Sequence, residues 1–243
     1  MQTQKDMIKI SPGHGIMNVD VQSFVRLAYR VFSETGVGNL SVLDDLGKIM
    51  ILKKVLGQNK DELKYFGRNI NKDGYISEIK SFMSELIQYG ADEDEIERMI
   101  KASEKKPVLK YKLQDMSVAF KSFKEYIEKN YITSEELLSV FADVVSQSEL
   151  LKGAVICLDG FTGFTPLQYR LLRELIKTAE MVYVTVTADD RESVINKGKN
   201  YQLFFMSRKT VHNIRQIASE TGVEVLDDIW TGKEISQTRF GES

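Results

Sequence analysis

Residues 154–158, Ala-Val-Ile-Cys-Leu, form an unbroken apolar run between Gly153 and Asp159. A run with no polar side is the pattern of a strand buried on both faces of a parallel sheet, where neither face meets water. A parallel strand needs a crossover to bring the chain back, and the sequence supplies a helix at once. Thr165-Pro166-Leu167-Gln168 combines a capping threonine, proline at the first helical position and a glutamine placed to return the cap's hydrogen bond. Leu167, Leu171, Leu172, Leu175 and Ile176 then recur at helical spacing and form a buried stripe. Residues 181–187, rich in valine and threonine, predict the next strand. Strand, helix and strand in this order indicate an α/β layer.

The same texture opens the chain. Residues 16–21 alternate apolar and polar, as a strand does, and Gln22-Ser23 open a helix carrying Phe24, Leu27, Ala28, Val31 and Phe32, with Gly36 and Gly38 to end it. Phe204-Phe205 and residues 207–221 predict a late helix closed by Gly222, and 223–226 a short strand. Residues 41–147 show no convincing strand. Leu46, Ile49, Met50, Leu52 and Leu56 mark one helix, closed by Gly57; Leu63, Phe66 and Ile70 mark a shorter one; Tyr75 to Ile87 mark a third, closed by Gly90. The acidic run at 92–95 starts a fourth, favoured by the helix dipole. Pro107 precedes a long helix carrying Leu109, Leu113, Met116, Phe120, Phe123 and Ile127, and Thr133-Ser134-Glu135-Glu136 is a capping box for the next. The expected fold class is α/β, with a core formed by residues 1–40 and 148–243 and an all-helical insertion over 41–147.

Composition narrows the function classes. With 42% hydrophobic residues in 243, the chain can build a core. Its one cysteine, Cys157, excludes a disulfide scaffold and any site of several thiolates, and the two histidines, His14 and His212, lie too far apart in sequence to form a metal-ligand motif. A net charge of -2 excludes a wholly basic nucleic-acid coat but leaves room for local basic grooves. No apolar run approaches the roughly 20 residues of a membrane span, and the first residues lack an apolar signal core, so a soluble, cytoplasmic setting without membrane contact is expected.

The first chemical candidate is Asp159. Open parallel sheets place ligands beyond the carboxyl ends of their strands, and a carboxylate there can hold the magnesium of a nucleotide. By pattern alone it serves as readily as a turn residue. Ser23, Phe24 and Arg26 form a second candidate group at the start of the first long helix, with Arg30 four residues on; Ser23 also reads as an N-cap and Phe24 as a core residue. Phe161 can stack a base or bury itself in its turn. Two basic tracts, Lys101, Lys105, Lys106, Lys110 and Lys112, and Arg191, Lys197, Lys199, Arg208, Lys209 and Arg215, can meet phosphates or form solvated faces.

The string from 154 to 175, AVICLDGFTGFTPLQYRLLREL, resembles the Walker B segment of superfamily 1 helicases, where an apolar strand ends in Asp-Glu before a Thr/Ser-Pro-x-Gln cap and a leucine-rich helix. DGFTGFTPLQ is similar to the corresponding segment of the AddB family, the B subunits of bacterial AddAB helicase–exonucleases. MNVDVQSFVRLAYRVF resembles the strand and helix of motif Ia, VYVTVTADD the strand after Walker B, and LFFMSRKTVHNIRQIASETGV the segment beyond it. The resemblance covers nearly the whole chain. It implies a partial P-loop NTPase fold and a part in processing DNA double-strand breaks for recombination. It also implies contact with single-stranded DNA through Ser23, Phe24, Arg26, Phe161, Arg208 and Lys209, an AddA-type helicase–nuclease partner subunit, and a role in reading the Chi sequence.

One departure changes the expected chemistry. The active helicase motif needs Asp followed by Glu, but here Gly160 follows Asp159, and glycine offers no group to orient water. The chain also has no G-x-x-x-x-G-K-[ST]. It is expected to begin after the family's phosphate-loop segment and to stop before the second helicase-like half and the nuclease, so ATP, magnesium and the family's iron–sulfur cluster belong outside it and no catalytic residue is expected within it. Two other readings remain at this level. A haloacid-dehalogenase-like phosphatase uses Asp-x-Asp-Gly-Thr after a buried strand, of which Asp159-Gly160-Phe161-Thr162 matches only the latter half, with Cys157 at the nucleophile position. A pure protein-interaction module would use the helical block to contact other polypeptide.

Overall fold

Local capping chemistry sets the starts of five helices. Thr133 and Glu136 satisfy each other's amides, as do Thr165 and Gln168, and the side chains of Ser23, Asp44 and Asp92 each accept from the amide three residues on. The computed structural model describes residues 2–11, 18–38, 41–67, 72–128, 131–188, 199 and 203–230. The chain divides into two compact units, Met1–Thr187 and Ala188–Ser243.

In the first unit the described elements run α1 (Gln2–Ile10), α2 (Phe24–Thr35), β1 (Val42–Leu43), α3 (Asp45–Gln58), α4 (Asp73–Gln88), α5 (Glu93–Ala102), α6 (Pro107–Ile127), β2 (Ile132–Thr133), α7 (Ser134–Val144), β3 (Val155–Leu158), α8 (Pro166–Thr178) and β4 (Met181–Val184). The second unit carries α9 (Phe205–Thr221), ended by Gly222 at φ +71°. Among the described residues the protein is thus a mixed α/β chain in which helices predominate over two small parallel sheets, β1–β2 and β3–β4.

Two hydrophobic clusters hold the first unit. One gathers α3, α4, α5 and α6 around Leu52, Leu56, Phe66, Ile76, Ile79, Ile96 and Phe123. The other packs α2, α7 and α8 through Val31, Phe32, Leu137, Phe141, Leu171 and Leu175. Each such side chain contributes about 1.5–3 kcal/mol by leaving water. Helix α7 joins the two clusters. Its apolar side faces α2 and α8, while its Glu135 reaches back to Lys48 of α3 through both carboxylate oxygens, at 2.9 and 2.8 Å.

Several sequence expectations need correction. Residues 18–21 form no strand, and 16–17 lie outside the described residues. Residues 41–147 do contain short strands: β1 and β2 pair in parallel, Val42 with Ile132 and Leu43 with Thr133, too briefly to leave a periodic signal. Leu46 and Met50 are exposed, because the buried stripe of α3 runs through Lys48, Ile51, Leu52, Val55 and Leu56. Gly57 lies inside α3, which ends at Gln58 with Asn59 as its C-cap. Residues 63–67 are a bent loop, and Ile70 lies outside the described residues. Leu109 is exposed. Residues 223–226 form no strand.

The largest correction concerns β3 itself. Ile156 packs against the second cluster and Leu158 is buried, but Val155 is 59% exposed and Cys157 is exposed too. Cys157 is therefore no core residue. Cys157 pairs in register with Tyr183 of β4, which is 43% exposed. The sheet has two strands, α8 packs on β4, and the opposite face of β3 has no comparable cover among the described residues.

Candidate nucleic-acid interface at the turn after strand β3

The parallel pairing of β3 with β4 brings the carboxyl ends of both strands to one rim. There the amide of Thr185 donates to the Leu158 carbonyl at 2.9 Å, and its hydroxyl donates to Asp159 Oδ1 at 2.5 Å. Asp159 is exposed, and Gly160 after it sits at φ +77°. That backbone conformation strongly favours glycine. The turn thus explains why a carboxylate-bearing residue does not follow Asp159.

The turn leads into a row of four rings. Phe161 lies 5.5 Å from Phe24 and stacks on Phe164 at 4.9 Å with 26° between planes; Phe164 meets Tyr169 edge-on at 5.6 Å. The row connects the first residue of α2 to the first turn of α8. Phe164 precedes the cap Thr165 and Tyr169 is the fourth helical residue, so their contact is a hydrophobic staple that fixes the entry of α8. All four rings are half-buried.

Beside Phe24, Ser23 caps α2 by accepting from the Arg26 amide at 3.4 Å, and the Arg26 side chain is exposed. Arg30 is engaged at the surface by Asp20. The site therefore brings together Ser23, Phe24, Arg26, Asp159, Gly160 and Phe161. Phe164, Tyr169 and Thr185 were not singled out from the sequence. The staple spacing could have found the first two; the Thr185 contact depends on strand register.

Arg208 and Lys209 lie on α9 in the second unit, where Arg208 is buried and Lys209 half-buried. Of their basic tract, Arg215 is paired with Asp228 through both carboxylate oxygens at 2.8 Å, and Arg191 and Lys197 lie outside the described residues, as does His14. His212 is exposed on α9. At the other end of α2 from Phe24, Glu34 holds the loop after α7: its carboxylate accepts from the Ser148 hydroxyl and the Leu150 amide, and these bonds keep its pKa below the ordinary value.

Among the described residues, no three His, Cys, Asp or Glu side chains converge in a group suited to a metal ion. Asp159 accepts from Thr185 through Oδ1 and is followed by glycine, so the turn offers a single carboxylate with no second acid next to it. A cluster of iron and sulfide needs several thiolates, and Cys157 is the chain's single cysteine. No described helix is long and apolar enough to cross a membrane.

A parallel β–α–β unit with a carboxylate at the end of its first strand, built beside a helical block, defines an α/β protein of predominantly helical content. Residues 1–242 match the family described as ADDB, N-terminal, and the chain belongs to that family. It is 43% identical over 235 residues to the B subunit of the ATP-dependent helicase/deoxyribonuclease of Lachnoclostridium phytofermentans, a match covering 96% of this chain and 20% of that protein. Proteins of the same name from Caldanaerobacter subterraneus and Clostridium novyi are 34% and 31% identical, covering 90% and 99% of this chain but 19% and 21% of their own lengths. The chain spans about a fifth of the curated relatives it matches.

Proposed function

We propose that this chain is the N-terminal part of the B subunit of a DNA helicase–nuclease that processes double-strand breaks, and that it serves there as a non-hydrolysing, helicase-like scaffold. In this reading it contacts single-stranded DNA at the turn after β3 and supports the A-type helicase–nuclease partner, with a part in Chi recognition. The names of the relatives support the setting. The observation that carries the local role is the four-ring row between α2 and α8, with Arg26 exposed beside it. Ring faces accept unpaired bases without regard to sequence, and a guanidinium beside them holds the phosphate. A P-loop ancestry is part of the proposal, with ATP, magnesium and the iron–sulfur cluster assigned to other parts of the assembly.

The test is fluorescence anisotropy of a labelled oligothymidylate with the chain across a potassium chloride series. Binding that weakens with salt, and weakens further in Phe161→Ala and Arg26→Ala, supports the reading. Wild-type affinity in both variants would remove the turn from the DNA path.

A second reading rests on the open face of β3–β4. Val155, Cys157 and Tyr183 are exposed on a parallel sheet, an architecture that ordinarily has both faces covered. We propose that this face packs against the remainder of the longer subunit. Cys157 should then react with a maleimide in the isolated chain and be protected in the full-length protein.

A further inference from the structure

Asp115 of α6 is a buried carboxylate, 1% exposed, and all of its observed partners are backbone amides. It accepts from Lys64 at 2.8 Å and from Tyr65 and Phe66 at 2.7 Å each. Three amides converging on one carboxylate fix the 63–67 loop against the helix. The loop's outward side chains are thereby held beside the first turns of α6. Lys64 Nζ lies 5.9 Å from the Tyr111 ring centre and 3.4 Å from Gln114 Oε1, while Lys112 Nζ sits 5.1 Å over the Tyr65 ring. Each ammonium from one element thus faces a tyrosine of the other. Tyr65 is 37% exposed and Tyr111 46%.

Further ammonium groups continue this surface. Lys105 and Lys106 are exposed immediately before α6, and Lys110 falls on the Tyr111–Gln114 side of the helix by its spacing. Glu78 takes up part of the charge of Lys112, at 3.5 Å. Lysines alternating with exposed tyrosines on a rigid support match a strand that offers both phosphates and unpaired bases.

We propose that the face formed by the 63–67 loop and the start of α6 is a second contact for single-stranded DNA, with Lys64, Lys105, Lys106 and Lys110 on phosphates and Tyr111 stacking a base. It rests on the proposed function only for the identity of the polyanion, and it can hold whether or not the ring row binds.

The experiment uses the whole chain and a labelled oligothymidylate over a salt series. Lys64→Glu/Lys110→Glu should weaken binding about tenfold or more at low salt and flatten the plot of log affinity against log salt by about 1.4, at about 0.7 for each phosphate of a single strand that is no longer neutralised. Tyr111→Ala should weaken binding about tenfold with the slope unchanged, because stacking releases no counterions. Circular dichroism and urea denaturation check folding, and Lys64→Gln/Lys110→Gln, with a smaller loss in the same direction, provides a variant without charge reversal. Wild-type affinity and slope in the lysine variants overturn the proposal, as does equal affinity for a duplex of the same length. If Phe161→Ala fails to bind while the lysine variants bind normally, this proposal falls and the ring-row reading stands; the reverse pattern favours this face alone. No binding by the parent chain at low salt overturns both.

Discussion

The Thr185 hydroxyl donates to the Asp159 carboxylate at 2.5 Å, joining the residue after β3 to the residue after β4. The bond gives Asp159 a structural use at the rim of the sheet. Both groups have access to water, so the net contribution is that of an ordinary hydrogen bond to a charged group, about 1–2 kcal/mol. Thr185→Val and Asp159→Asn should each lower stability within that range. The double variant should lose less than the sum, as measured by urea denaturation in a double-mutant cycle.

Gly160 provides a sharper test of why the turn lacks a second acid. A Cβ added there meets nothing within 4 Å, so space does not disfavour a side chain; the φ of +77° does. Gly160→Glu should therefore destabilise the chain by about 1–2 kcal/mol, with Gly160→Ala losing a similar amount. It should also produce no ATP hydrolysis, since the sequence contains no phosphate-loop motif. Phosphate release above background by purified Gly160→Glu would refute this account of the turn.

Phe161 and Phe164 stack on one another but have different neighbours. Phe164 staples the start of α8 through Tyr169, whereas Phe161 bridges to Phe24. Phe164→Ala should reduce thermal stability more than DNA affinity. Phe161→Ala should show the opposite balance, with about tenfold weaker oligothymidylate binding and an unchanged salt slope. Melting temperatures and anisotropy on the same preparations compare the two effects directly.

What the sequence revealed follows the range of each interaction. The caps at Ser23, Thr133 and Thr165 were legible because both partners lie within three residues. The stripe of α3 was misplaced because Lys48 occupies a buried position, and a lysine there is intelligible only once Glu135, 87 residues away, is seen beside it. The run at 154–158 announced a strand but not its surroundings, since apolar residue types do not reveal how many strands flank it. Asp115 gave no sign of its role because its partners are backbone amides some 50 residues earlier, and an amide carries no sequence signature. At the candidate site, Asp159, Ser23, Phe24 and Phe161 were each readable, but the Phe24–Phe161 contact joins distant segments and needed the fold.

Acid should weaken the start of α7 through Glu136. Burial raises the pKa of this carboxyl, but the hydrogen bond from Lys124 and those from Thr133 outweigh it, and the net shift is downward from 4.5. A group with a lowered folded pKa contributes stability above its unfolded pKa and loses it as pH falls through the folded value. The contribution should be fully present at neutral pH and disappear below about pH 4.5. Glu34 and Asp45 shift in the same direction and act in the same window, so wild type alone does not isolate Glu136. Glu136→Gln should be less stable than wild type at pH 7, and the gap should close as pH drops below about 4.5. A gap constant from pH 7 to 3 would contradict the assignment.

The Lys48–Glu135 pair is the strongest stability test because both side chains are buried and bound through two oxygens. Ser84 Oγ accepts a further bond from Lys48 at 3.4 Å, and Asp45 lies 3.8 Å away at the surface, so the ammonium is well supported and the carboxylate depends on it. Removing either partner leaves the other charge uncompensated in a region of low dielectric, a loss of about 3–5 kcal/mol. Glu135→Leu and Lys48→Met should each approach that loss. The double variant Lys48→Met/Glu135→Leu removes both desolvation penalties and keeps apolar volume between α3 and α7, so it should be more stable than either single variant and within about 1–2 kcal/mol of wild type. Urea denaturation with an unchanged m-value reads the three differences. Additive losses in the double variant would mean that the pair is uncoupled, and that apolar packing alone joins α7 to the helical block.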